Sequence, residues 1–265
     1  MNRVKNALRT IRDRASRRIS EHGRRVCFAH VPKCGGTSIA DALSSAYSVT
    51  DRALIPETNI NLVASARVAE VFSRSMMEIR EEVLAYALAQ ESSRLAMGHV
   101  PCKPRLVRAF SQEWRFVTVL RDPTTRFVSE YVYNTLKPVD WEKNNLGPLE
   151  YLQSEKARSA ATWFLQYFSS FSPNSDADPI GYVEEAVENL RQFSVVGFLE
   201  DLDAFKRDFK SRVGIDLRIP MRNKTPSLTK KSAIIHDPAF MAEVRRLCEA
   251  DTIVYRRARE LVLGK

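Results

Sequence analysis

The β-prone run Arg25-Val26-Cys27-Phe28-Ala29-His30-Val31 stops at Pro32, passes through Lys33, Cys34 and the pair Gly35-Gly36, and resumes from Thr37 to Leu43 at helical spacing. A strand that turns through glycines straight into a helix is a demanding piece of local structure. It fits a sheet whose strands run one way and whose helices pack back across the faces. A second unit has the same form. Residues 114–120 are apolar and β-branched, Arg121-Asp122-Pro123 breaks the run, and residues 124–133 read as a helix, with Asp122 able to cap it and Pro123 suited to its first turn. Strands separated by helices predict an α/β fold: a single domain with a mostly parallel central sheet flanked by helices. At 265 residues, 44% hydrophobic and 28% charged, with 9 Gly and 12 Pro, the chain has the composition of one globular core with insertions.

The rest of the chain fits that frame. Residues 66–95 carry long helical periodicity rich in Glu and Arg and read as scaffold. Residues 134–150 form a surface excursion, followed by a helical stretch over 151–167 and a polar loop over 171–179. A helix over 182–192, a strand over 194–198 and a further helix through Phe209 come next. The last helix opens at Asp237-Pro238. No internal repeat is evident.

The net charge of +9 is concentrated at one end. Residues 1–25 hold nine Lys or Arg against Asp13 and Glu21, a net of +7, which leaves +2 for the remainder. This argues against a broad nucleic-acid-binding face and for a basic arm, residues 1–24, ahead of a domain over 25–265. Within the arm Val4, Leu8, Ile11, Ala15 and Ile19 recur at helical spacing. It reads either as an amphipathic contact with an anionic membrane or polyanion, or as a solvated leader without specific function. No long apolar run suggests a signal peptide or membrane span. Cys27, Cys34, Cys102 and Cys248 show no C-x-x-C pair, so neither a metal site nor a disulfide framework is expected, and a reducing, cytoplasmic location follows.

A loop leading from a strand into a helix N-terminus is a natural anion site, because backbone N–H groups and the helix dipole both point at it. In the first unit Gly35 and Gly36 allow close backbone approach, Thr37 and Ser38 add hydroxyls, and Lys33 adds charge. The order is not that of a Walker A loop, in which lysine follows the last glycine. The second strand ends in Arg121, a cation where a magnesium-binding carboxylate would be expected. The composition suits anion neutralisation without a metal.

Residues 28–38, Phe-Ala-His-Val-Pro-Lys-Cys-Gly-Gly-Thr-Ser, resemble the 5′-phosphosulfate loop of sulfotransferases that use PAPS (3′-phosphoadenosine-5′-phosphosulfate), in the branch that includes heparan sulfate 2-O-sulfotransferase. Residues 120–131, Leu-Arg-Asp-Pro-Thr-Thr-Arg-Phe-Val-Ser-Glu-Tyr, resemble the 3′-phosphate motif of the same family. The resemblance implies a P-loop-NTPase-like sulfotransferase fold, with PAPS as co-substrate and no metal. It implies that Lys33, Cys34, Gly35, Gly36, Thr37 and Ser38 bind the donor's 5′ side and that Arg121 and Ser129 grip its 3′-phosphate. Cys34 departs from the commoner threonine, and a small side chain there preserves a cradle made by backbone.

Gly98-His99 resembles a pair found in glycan-modifying members of the branch, where the histidine is the proposed general base. Chemistry agrees in kind, since an imidazole can take a hydroxyl proton near neutral pH. His30 is the competing candidate, read as a core histidine within the strand pattern. The implied reaction is in-line sulfuryl transfer, with His99 deprotonating the acceptor and Lys33 stabilising charge on the departing oxygen. The acceptor implied is a carbohydrate or glycoconjugate hydroxyl. Tyr133, Trp141 and Trp163 would suit a sugar or serve as packing. Weaker echoes of the family are residues 196–201, the segment Arg222-Asn223-Lys224-Thr225-Pro226, which is either a nucleotide-covering loop or a plain turn, and Asp251 with Tyr255. A nucleotide kinase or NTPase with a degenerate loop, or a non-catalytic polyanion binder, are the alternatives.

Overall fold

The computed structural model describes residues 25–46, 58–60, 62–91, 93–137, 143–219 and 236–264. The basic arm over 1–24, Trp141 and the segment 222–226 lie outside the described residues. The described strands are β1 (Arg25–Ala29), β2 (Thr58–Ile60), β3 (Leu95–Gly98), β4 (Trp114–Leu120) and β5 (Val195–Phe198). They form one sheet in the order β2-β3-β1-β4-β5, and every pairing is parallel. The chain builds to one side of β1 and then crosses to β4 on the other, so the order reverses beside β1. In open parallel sheets such a reversal leaves a crevice at the carboxyl ends of the strands. Register sets what lines it: Ala29 lies opposite both Gly98 and Thr118, and Thr118 Oγ1 donates to the Ala29 carbonyl at 2.9 Å. The residues just past the ends of β1, β3 and β4 therefore converge.

Alternation along the strands fills both faces. Cys27, Ala29, Trp114, Phe116 and Leu120 face one core, and Val26, Phe28, Val117 and Val119 face the other. The described helices are α1 (Gly36–Ala46), α2 (Leu62–Phe72), α3 (Met76–Ala89), α4 (Pro104–Phe110), α5 (Pro123–Thr135), α6 (Pro148–Leu152), α7 (Glu155–Ala161), α8 (Trp163–Phe168), α9 (Val183–Arg191), α10 (Leu202–Val213), α11 (Pro238–Leu247) and α12 (Glu249–Leu263). Helices α1 and α10 cover one face through Ile39, Leu43, Phe205 and Phe209. On the other, α3, α4, α8, α9 and α12 contribute Leu84, Leu88, Val107, Phe164, Val187 and Val254. Each such fully buried side chain contributes about 1.5–3 kcal/mol. Helix α5 belongs to a third cluster, in which Phe127, Val128 and Tyr131 pack with Tyr151 and Phe240.

Several expected elements are subdivided. The periodicity over 66–95 is not one helix: α2 ends, Ser73 takes φ 49, and Ser75 opens α3 with a capping box shared with Glu78. The short strand β3 ends that stretch, and β2 also escapes the sequence pattern. The helical stretch over 151–167 divides into α6, α7 and α8, because Ser154 caps α7 through the Ala157 N–H and Asp251 accepts the Phe164 and Leu165 N–H groups at the start of α8. The final helix breaks at Cys248 into α11 and α12. The expected cap at Asp122 is present, accepting the Thr125 N–H at 2.9 Å with Pro123 in the first turn.

Candidate active site

The loop after β1 is wound through backbone conformations that few side chains adopt: Lys33 has φ 64 and Gly35 φ 74. A lysine in the left-handed region costs free energy, so its surroundings must hold it there. Arg121, at the end of β4, does so by donating from Nη1 to the Lys33 carbonyl at 3.2 Å. Gly36, the first residue of α1, is packed against the His30 ring, and a Cβ there would lie 1.9 Å from the ring's Cδ2. No side chain other than hydrogen fits. The residue before the helix, Gly35, has no capping group, so the first N–H groups of α1 remain available to an anion. Thr37 is exposed at this end and Ser38 is buried.

Lys33 supplies the charge. Its ammonium lies over the Tyr133 ring, 3.6 Å from the centroid, with Lys137 over the same ring at 5.4 Å. Burial, reinforced by Arg121 and Lys137 and opposed by Glu130, lowers its pKa to about 8. An anion binding there would relieve that stress. Cys34 is fully buried and its thiol is pushed up to about 12 by burial, so it contributes backbone and shape, not a nucleophile.

Past β4, Arg121 is partly buried, and that burial lowers its pKa while Cys34 and Glu200 oppose the shift. Ser129 stands two turns into α5 and is 4% exposed. Among the described residues no hydrogen bond joins Arg121 to Ser129. Arg126, next on the buried face of α5, bonds Glu130 at 2.6 Å and the Ala160 carbonyl. Glu130 in turn accepts from Trp163 Nε1 at 2.9 Å. Trp163 is thereby committed to internal packing, whereas Tyr133, 42% exposed, faces the opening beside Lys33.

His99 follows β3. Gly98, at φ 147, makes the bend, and the Gly98 carbonyl accepts from the N–H groups of both His30 (3.0 Å) and Val100 (2.9 Å). His99 Nδ1 lies 2.8 Å from the His30 carbonyl. A carbonyl only accepts, so in the neutral ring the proton sits on Nδ1 and Nε2 keeps its lone pair. Burial lowers the His99 pKa, and Arg80, Lys137 and Lys33 add to this against the His30 hydrogen bond. The imidazole is thus neutral near pH 7.

His30 is placed differently from the expectation. It lies beyond β1 and is half-buried, stacked on Phe28 at 5.7 Å and tilted against the His99 ring at 4.2 Å. Burial, with repulsion from His99 whenever that ring is charged and from Lys33, holds its pKa down to about 3. It acts as the wall that makes Gly36 necessary. The sequence reading gave no role to Arg80, Glu130 or Glu200, although the last two lie inside the segments 120–131 and 196–201 that it singled out. Arg80 left a signal: it shares the spacing 80, 84, 87, 88 with Leu84, Ala87 and Leu88, an arginine in an apolar stripe. Glu200 Oε1 accepts the Asp122 N–H at 3.0 Å, and its Oε2 accepts from Tyr255 at 2.9 Å, which ties Tyr255 to the site.

Among the described residues no three His, Cys, Asp or Glu side chains gather as a metal site, and no helix is long and apolar enough to cross a membrane. No curated protein matches the sequence. A crystal structure of a sulfotransferase from Alicyclobacillus acidocaldarius is similar at 16% identity with a TM-score of 0.41, over 86% of this chain and 95% of that one. The model of the Sulfotransferase domain family matches residues 24–183, more than half of the chain and the whole interval from β1 through both strand-loop-helix units and His99, and the protein belongs to that family.

Proposed function

We propose that the protein transfers the sulfuryl group of PAPS to an acceptor hydroxyl, with a glycan as acceptor and His99 as general base. The observation that carries this reading is the contact of His99 Nδ1 with the His30 carbonyl: the carbonyl accepts from Nδ1–H, so the neutral ring keeps its lone pair on Nε2, and Lys33 is near enough to act on the ring electrostatically. The loop suits the donor's phosphosulfate. Its helix N-terminus is preceded by a glycine that has no side chain to cap it, its backbone is held open by a glycine that tolerates no Cβ, and its lysine is a half-buried cation near Arg121 and Lys137 as well as Glu130. Arg121 and Ser129 would hold the 3′-phosphate.

In this reaction the acceptor O–H proton passes to His99 Nε2, a bond forms between the acceptor oxygen and sulfur, and the bond from sulfur to the PAP phosphate oxygen breaks. Lys33 neutralises the charge left on that oxygen, an effect worth about 3 kcal/mol in the transition state. The choice of a sugar follows from the Gly98-His99 resemblance, supported by the exposed Tyr133 ring next to the lysine. His99→Ala is expected to keep PAP affinity within about twofold while losing turnover by ~10²-fold or more. Calorimetry with PAP, and transfer from labelled PAPS to a panel of glycans, lipids and small alcohols, measure the two properties. Wild-type turnover in His99→Ala would remove the base, and labelling only of non-sugar alcohols would remove the glycan.

A further inference from the structure

Arg80 is a buried cation with no carboxylate beside it among the described residues. It sits on the sheet-facing side of α3, 3% exposed, and its Nη1 donates to the His99 carbonyl at 3.1 Å. Its Nε and Nη2 are buried and make no hydrogen bond, and the other contact of Nη1 is the Met77 sulfur at 4.0 Å. The carboxylates nearby on α3 are engaged elsewhere: Glu81 pairs with Arg105, and Glu78 and Glu82 with Arg74. Among the described residues no carboxylate pairs with Arg80. Tyr167, reaching in from α8, is near enough to interact electrostatically, but its hydroxyl is itself buried and unbonded. Desolvating a guanidinium with so little return is costly. Leucine or methionine would fill the same stripe at lower cost, so packing alone does not account for an arginine.

We propose that Arg80 is a positioning residue for sulfuryl transfer: through its bond to the His99 carbonyl it fixes the turn Gly98-His99-Val100, and it sets the charge environment in which His99 works. The inference rests on the reading of His99 as base. The groups that face His99 are His30 at the end of β1, Lys33 in the loop, Arg80 from α3 and Lys137 beyond α5. Every one is neutral or cationic. Histidine bases are often held by a carboxylate, which favours the imidazolium; here three cations disfavour it, and only the His30 carbonyl acts the other way. The donor explains why that is useful. PAPS brings several negative charges next to the imidazole, and these alone would favour its protonation and remove the lone pair. Lys33 is committed to the same anion, whereas Arg80 lies behind the histidine and keeps its charge uncompensated.

Two variants separate charge from position. Arg80→Gln retains a donor that reaches toward the His99 carbonyl but has no charge, and Arg80→Lys retains charge without the planar fork. In the PAP complex, NMR titration of the His99 ring, identified by its loss in His99→Ala, should move upward by about one pH unit in Arg80→Gln. The acidic limb of the kcat/KM profile should move with it. Arg80→Lys should keep the wild-type titration and lose kcat about tenfold at all pH values, because the turn is held less well. A purely structural Arg80 would give an unshifted His99 titration in both variants, and this overturns the proposal even where activity falls. Should Arg80→Gln not fold, the Lys variant still decides: an unchanged kcat overturns the positioning role. An inactive His99→Ala with an unshifted titration in Arg80→Gln defeats this inference alone, whereas wild-type turnover in His99→Ala defeats the base reading and this inference with it.

Discussion

The two strand-loop-helix units beside the crevice look alike in sequence but present their helix N-termini in opposite ways. Helix α1 begins at Gly36 after another glycine, which has no side chain to cap its first N–H groups. Helix α5 is capped by its own chain: Asp122 Oδ1 takes the Thr125 N–H and the Thr124 hydroxyl, and Pro123 has no N–H to offer. The first unit is therefore a backbone cradle with one lysine. On the proposed reading the second would hold a phosphate mainly through side chains, Arg121 at the strand end and Ser129 further along the helix. A helix N-terminus with an intervening carboxylate is not an anion site merely because a strand leads into it.

The largest effect that would sharpen this contrast is on turnover. Lys33→Met should lower kcat by ~10²-fold or more with a smaller change in PAP affinity, if its charge acts on the leaving oxygen as proposed. Arg121→Met should do the reverse, raising the dissociation constant of PAP by about ten- to a hundredfold and abolishing its preference over AMP, as expected when a charged hydrogen bond worth about 1.5–3 kcal/mol is lost. Steady-state kinetics together with calorimetry separate the two. Equal losses of kcat and affinity in both variants would merge the two sites into one. Because Arg121 also holds the Lys33 carbonyl, some loss of kcat in Arg121→Met is expected, and the contrast rests on which parameter moves more.

A pH profile comes next in size. Lys33, with its pKa lowered to about 8, is cationic below that value and loses its charge above it. The kcat/KM profile of the free enzyme should thus fall off above about pH 8, and on the acid side only below the ordinary imidazole range, since His99 is held down by burial and by cations. Lys33→Arg, charged throughout, should carry the alkaline fall to higher pH. An alkaline limb that does not move in Lys33→Arg would assign it to another group.

How far these sites could be read in the sequence depended on whether the signal was local. The loop over 32–38, the break at Arg121-Asp122-Pro123 and the cap by Asp122 are each set by a few adjacent residues, and they appear where expected. The α/β class followed from the same two units. Strands β2 and β3, of three and four residues, are too short to show alternation against the helices around them. The divisions at Ser75, Ser154 and Cys248 interrupt periodicity without glycine or proline. The cap on α8 comes from Asp251, 87 residues from Phe164. Long-range contacts hid the roles of Glu200, which the fold joins to Asp122 and Tyr255, and of Arg80, which it joins to the His99 carbonyl; the pairing of Glu130 with Arg126 lies within one helical turn. His30 is the instructive miss. Its strand-like neighbours suggested a core position, but the strand ends at Ala29 and its ring closes over Gly36 and His99.

The smallest predicted effect tests the comparison most directly. Asp122→Ala removes the cap from α5 and should destabilise the protein by about 1 kcal/mol, the usual cost of losing an aspartate at this position. Its backbone N–H still reaches Glu200, so Arg121 should stay in place and PAP affinity should change by less than about threefold, within the ~0.65 kcal/mol that such a factor represents. Denaturant unfolding and calorimetry on the same preparation give both numbers. Freeing the α5 N–H groups also creates, for the first time, a second helix end open to anions. If PAP then binds more tightly than to the wild type, the 3′-phosphate lies within reach of that end, and the cap is what keeps the second site a side-chain clamp. If instead PAP affinity falls tenfold without loss of stability, Asp122 is part of the binding site and the two units differ less than their caps imply.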